Sequence, residues 1–66
     1  MKNENFLEES YVGLTIKEAQ DKATQAGLRH RIIEEDGKSY IITEDFIADR
    51  LNFIINKGKI TGIELG

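Results

Sequence analysis

The clearest structural signal in the sequence is a helix that begins at Thr15 and ends at Gly27. In Thr15-Ile16-Lys17-Glu18, the Thr15 hydroxyl can accept a hydrogen bond from the N–H of Glu18, and the Glu18 carboxylate can accept one from the N–H of Thr15. Glycine favours the left-handed conformation that ends many helices. We therefore predict a helix over residues 16–26. Its inward face is rich in alanine and comprises Ile16, Ala19, Ala23 and Ala26.

Alternating apolar residues after the helix predict three strands. In each of the stretches 28–33 and 50–55, every second residue lies on one mainly apolar face, because side chains in a strand alternate with a period of two. Residues 60–65 pair back antiparallel through the turn Asn56-Lys57-Gly58-Lys59. One helix packed on a small sheet predicts an α+β fold.

The partner of the first strand stays open at this level. Asp36-Gly37 tolerates a tight turn, which would pair residues 28–33 with residues 40–43 as a hairpin. The rival arrangement pairs residues 28–33 in parallel with residues 50–55. Periodicity does not choose between them.

The length of 66 residues allows one small domain, which we assign to residues 10–66 after a flexible leader at residues 1–9. The chain has no cysteine, which excludes disulfides, thiolate catalysis and cysteine-ligated zinc. The expected core draws on the helix and all three strands: Ile16, Ala19, Ala23, Leu28, Ile32, Leu51, Phe53, Ile55, Ile60 and Ile63.

Charge and motif content exclude several function classes. The net charge is −3 and the basic residues are scattered, so a nucleic-acid partner is not expected. No apolar run predicts a signal peptide or membrane span, so we expect no membrane partner and a cytoplasmic protein, or a secreted one if a signal was removed. Neither the adjacent Glu44 and Asp45 nor the solitary His30 predicts catalysis, a metal site or a cofactor.

Several motifs in order resemble the potato inhibitor I family of serine-protease inhibitors, which includes the barley chymotrypsin/subtilisin inhibitor and short bacterial relatives. They are Val12-Gly13-Leu14-Thr15 followed by Glu18-Ala19, then Asp49-Arg50-Leu51-Asn52, the hairpin glycine Gly58 and finally Gly66. The resemblance spans residues 11–66. It implies the parallel pairing, and hence a small mixed sheet with an exposed reactive-site-like loop over residues 43–49.

The resemblance also implies a site. The reactive loop would comprise Thr43, Glu44, Asp45, Phe46 and Ile47. Glu44 would be the primary specificity residue, and Glu44–Asp45 the scissile bond. Loop support would come from Arg50, Asn52 and Gly66, with Arg50 bonded to the loop around Thr43 and Asp45 and paired with the Gly66 carboxylate. The implied partner is a serine protease, subtilisin-like or Glu-specific, bound by a monomer.

Two other interpretations remain beside inhibition. The family often has methionine or another apolar residue where this chain has Glu44, so the same fold could instead be a non-inhibitory scaffold that binds an unknown protein. The extracellular penicillin-binding-associated repeat has a similar Val-Gly-Leu-Thr and Glu-Ala helix start. Those repeats occur in tandem on membrane-anchored chains.

Overall fold

The helix begins and ends where its capping residues predict. In a computed structural model, which describes residues 8–66, α1 spans Ile16–Gln25. The Thr15 hydroxyl accepts from the Glu18 N–H at 3.2 Å, and Glu18 Oε1 accepts from the Thr15 N–H at 2.9 Å. Gly27 follows with a φ of +77°, in the left-handed region. Local hydrogen bonds therefore define both ends of α1.

Four strands form one mixed sheet beside this helix. They are β1 (Arg29–Glu35), β2 (Lys38–Ser39), β3 (Arg50–Asn56) and β4 (Lys59–Leu65), in the order β2-β1-β3-β4. A β-hairpin joins β3 to β4, as predicted. The predicted α+β fold, with one helix packed on a small mixed sheet, is confirmed.

Both candidate partners of β1 are present, on opposite sides of it. β3 pairs with β1 in parallel along its length, from Arg29 opposite Arg50 to Glu35 opposite Ile55. The hairpin with β2 involves only two residue pairs, at Glu34 and Glu35. Residues 40–43 lie outside any strand. The parallel pairing is therefore the main one, and the hairpin is a short addition at the turn.

The buried core contains seven of the ten expected residues and one residue that was not expected. Ala19, Ala23, Leu28, Leu51, Phe53, Ile55 and Ile60 are buried together, while Ile16, Ile32 and Ile63 are only partly buried against them. Tyr11 is also fully buried, with its ring centroid 6.1 Å from that of Phe53. Tyr11 is not among the expected core residues, and the sequence pattern does not predict its burial.

The N-terminal leader proposed for residues 1–9 lies mostly outside the described residues. Its last two residues enter a short 3-10 helix, Glu8–Ser10. Glu8 Oε2 accepts from the N–H of Ile63 at 3.0 Å, which occupies a donor of β4. Within residues 8–66, no helix has the length and apolar character needed to cross a membrane.

Candidate functional site

The chain between β2 and β3 forms the most exposed segment among the described residues. Residues 40–46 are all exposed, and they contain no strand or helix. Several of these side chains are large and apolar, with Ile41 fully exposed and Phe46 71% exposed. An exposed irregular segment of this length in so small a domain is a natural candidate for a binding site.

Arg50 holds the carboxyl-terminal half of this loop from the first position of β3. It is only 8% exposed, and its Nη2 donates to the carbonyl of Asp45 at 3.0 Å. The same nitrogen and Nε also donate to the main-chain oxygen of Gly66, at 2.7 and 3.2 Å. Nη1 lies 3.6 Å from Asp45 Oδ2. These bonds compensate for burial of the guanidinium and fix the main chain at Asp45.

Gly66 contacts the carboxyl-terminal end of the loop. Its oxygen accepts from the N–H of Ile47 at 3.0 Å, and its own N–H donates to Arg50 at 2.9 Å. The Phe46 ring lies over it, so a Cβ at residue 66 would be 2.9 Å from Phe46 Cδ1. Gly66 also has a φ of +126°, so a larger residue here would be strained, and the exposed Phe46 ring would have to shift.

Arg31 holds the amino-terminal half of the loop. Its Nη1 donates to Thr43 Oγ1 at 3.2 Å and lies 3.4 Å from the Thr43 carbonyl oxygen. Its Nε donates to Asn52 Oδ1 at 2.7 Å. Asn52 sits directly opposite Arg31 in the parallel pairing. The loop is therefore held from β1 as well as from β3.

A hydrogen bond joins the side chains of Thr43 and Asp45, the two neighbours of Glu44. The Thr43 hydroxyl donates to Asp45 Oδ1, and this bond is the main reason that the pKa of Asp45 lies below its usual value. Partial desolvation opposes the lowering, and the positive charge of Arg50 adds to it. Glu44 itself is exposed, and its side chain makes no hydrogen bond or ion pair within residues 8–66.

The structure brings most of the proposed site residues together, with two changes in their contacts. Arg50 bonds to the loop at Asp45, but among the described residues Thr43 is bonded by Arg31 instead. Within residues 8–66, the Asn52 side chain is linked to the loop through Arg31 alone. The sequence pattern does not single out Arg31, because a polar residue alternating along a strand resembles an ordinary solvent-facing one. Its position beside Asn52 becomes predictable only once the parallel pairing is assumed.

The remaining chemical groups give no sign of a second site within residues 8–66. No cluster of three or more histidine, aspartate or glutamate side chains could hold a metal ion in that part of the chain. It also contains no pocket. His30 is half-buried, with its ring stacked 5.8 Å from that of Phe53 and Nε2 3.4 Å from Thr24 Oγ1. These contacts account for His30 as a packing residue.

Comparison of the chain with protein-family models, curated proteins and solved structures finds no match.

Proposed function

We propose that this chain is a serine-protease inhibitor of the potato inhibitor I type, which inserts the loop around Glu44 into a protease cleft as a substrate would. The observation that supports the proposal is that both neighbours of Glu44 are held by hydrogen bonds from arginine side chains. Arg31 bonds to Thr43 on one side, and Arg50 bonds to Asp45 on the other. A loop held at both neighbours of an exposed residue loses little entropy when it binds.

The proposed mechanism uses the loop main chain and one exposed side chain. Extended backbone pairs with strands that line the cleft, and the Glu44 carbonyl carbon meets the protease nucleophile. Hydrolysis of Glu44–Asp45 would add one water, giving a carboxylate on Glu44 and an amine on Asp45. Arg50 and Gly66 would keep that amine near the acyl group, because both contact the chain just after it. The reverse reaction, which expels the same water, can then restore the peptide bond.

Glu44 determines which protease fits. A specificity pocket buries the residue before the scissile bond, and burial of an unpaired carboxylate is unfavourable. A subtilisin- or chymotrypsin-like pocket should therefore reject Glu44, whereas a pocket with basic residues would bind it through charge-assisted hydrogen bonds. The proposed native target is a Glu-specific serine protease.

The test is a titration of subtilisin-like, chymotrypsin-like and Glu-specific serine proteases with the wild-type chain, Glu44→Met and Glu64→Met. Glu44→Met should bind subtilisin more tightly than wild type by about 2–4 kcal/mol, or roughly 30- to 700-fold in Kd. The opposite change is expected for the Glu-specific enzyme. Glu64 is an exposed acid on β4, so Glu64→Met controls for lost charge alone and should behave as wild type.

An inert Glu44→Met variant with an intact fold would contradict the proposal. In that case the loop is not held in a shape that a protease accepts. The exposed apolar residues Ile41, Ile42 and Phe46 would then be better explained as a binding surface for another protein, on a scaffold without inhibitory activity.

A further inference from the structure

The support at Thr43 comes from a different strand from the support at Asp45. Arg50 begins β3, which directly follows the loop, whereas Arg31 lies in β1, before it. The two strands are adjacent and parallel, so Arg31 and Asn52 are neighbours across the pairing. The amino-terminal half of the loop therefore depends on the β1–β3 pairing, whereas the carboxyl-terminal half is held by Arg50 and Gly66.

Asn52 gives the Arg31 side chain a fixed direction. Asn52 is only 6% exposed, so its amide has little freedom, and its Oδ1 accepts from Arg31 Nε at 2.7 Å. The guanidinium is planar and its donors have a fixed arrangement. Fixing Nε therefore directs Nη1 toward Thr43, where it lies 3.2 Å from the hydroxyl oxygen.

We propose that Arg31 is a positioning residue that holds the loop on the amino-terminal side of Glu44, with Asn52 as its anchor. Arg50 holds the carboxyl-terminal side. The ordering of the loop by Arg31 is a property of the free protein. Its consequence for inhibition rests on the function proposed above.

The two arginines have different consequences after the scissile bond is cut. Hydrolysis would leave a new carboxylate on Glu44, next to Thr43 and Arg31, and a new amine on Asp45, next to Arg50. Religation requires that both ends stay close together. Loss of the Arg31 support should therefore free the acyl end, while the amine end remains held by Arg50 and Gly66.

Backbone order in the free protein tests the proposal without any protease. Arg31→Met removes every donor but keeps an apolar stem, and Arg31→Lys keeps the charge. A single ammonium does not reproduce the two-directional donation to Asn52 and Thr43. In both variants we expect NMR order parameters at Thr43 and Glu44 to fall from about 0.85 toward about 0.6 or lower. Those at Ile47 should change less, because its N–H bonds to Gly66.

Arg29→Met is the matched control. Arg29 lies two residues before Arg31 on the same face of β1, and its exposed side chain pairs with Asp49 at 3.8 Å. This variant should leave the order of Thr43 and Glu44 at the wild-type level. Unchanged order in folded Arg31→Met and Arg31→Lys would overturn the proposal. Arg31→Lys provides the same test if Arg31→Met lowers the unfolding midpoint.

The inhibitory consequence is measured on subtilisin in a Glu44→Met background. Adding Arg31→Met should weaken inhibition by about tenfold, the equivalent of one hydrogen bond of about 1.4 kcal/mol, and raise the fraction of cleaved chain. If loop order falls as expected but no variant inhibits any protease of the panel, the inhibitor function fails and the role of Arg31 in the loop is supported. If inhibition is strong and Arg31→Met changes neither inhibition nor loop order, Arg31 has no positioning role.

Discussion

At the level of single residues, the loop depends most on Asp45, since both its side chain and its carbonyl are used. The carboxylate accepts from the Thr43 hydroxyl and lies near Arg50, and the carbonyl accepts from Arg50 Nη2 at 3.0 Å. Hydrogen bonds and positive charge favour the ionised carboxylate. They lower its pKa below the ordinary value of 3.8, mainly through the Thr43 hydroxyl.

The pKa of Asp45 should therefore respond to Thr43. We expect Thr43→Val to raise it toward 3.8, because the isosteric side chain lacks the hydroxyl donor. Since the folded-state pKa is lowered, the contribution of Asp45 to loop order is complete above pH 3.8. It is lost as the pH falls through the lowered value. An NMR titration of the Asp45 carboxyl carbon measures this shift. Thr24→Val, on the helix, is the control, and an equal pKa in wild type and Thr43→Val would contradict the prediction.

Single residues also show where sequence reasoning ends. Arg50 and Gly66 were identified only through the family resemblance, because neither has a distinctive local pattern. Tyr11 was missed because it precedes the helix, and no periodicity relates it to the sheet. Its burial comes from distant partners: Phe53 in β3 and Lys22, whose Nζ lies 5.4 Å from the Tyr11 ring centroid.

At the level of elements, α1 was predictable because its ends depend on hydrogen bonds between residues three apart. The turn at residues 56–59 was predictable for the same local reason. The pairing of β1 was not predictable, since Asp36-Gly37 supports a hairpin and the parallel partner is some twenty residues away. The structure contains both pairings, with Asp36 and Gly37 each at positive φ in the turn between β1 and β2.

The capping box gives a prediction for α1. Thr15→Ala removes the side-chain oxygen that accepts from the Glu18 N–H, and it should lower the free energy of unfolding by about 1 kcal/mol. Thr15→Ser is the control, because serine keeps this oxygen and should retain most of the stability. Urea unfolding followed by circular dichroism measures both variants. Equal losses of stability in the two variants would show that the Thr15 hydroxyl does not stabilise the helix.

At the level of the whole molecule, the fold explains why the loop exists. Parallel strands need a long crossover, because the chain must return from the far end of the first strand to the near end of the second. Here residues 36–49 make that return. The N–H of Asp36 donates to Ile55 at one end, and the N–H of Arg29 donates to the Asp49 carbonyl at the other, both at 2.8 Å. The topology therefore accounts for the length of the loop, whereas the hydrogen bonds from Arg31 and Arg50 to the loop indicate a site.

The loop joins two paired strands that rest on the core, so the loop also depends on the core. Replacement of Phe53 is the most direct test of this dependence. Phe53 is fully buried in the middle of β3, and its ring centroid lies 6.1 Å from that of Tyr11 and 5.8 Å from that of His30. Phe53→Ala should cost about 3–5 kcal/mol through lost burial and the cavity left behind. A domain of this size has roughly that much stability in total, so we expect the variant to be largely unfolded at 25 °C. Phe46→Ala removes the same ring from a position 71% exposed and should cost less than about 1 kcal/mol. Denaturant midpoints measure both variants, and a Phe53→Ala midpoint near that of the wild type would show that Phe53 is not a core residue.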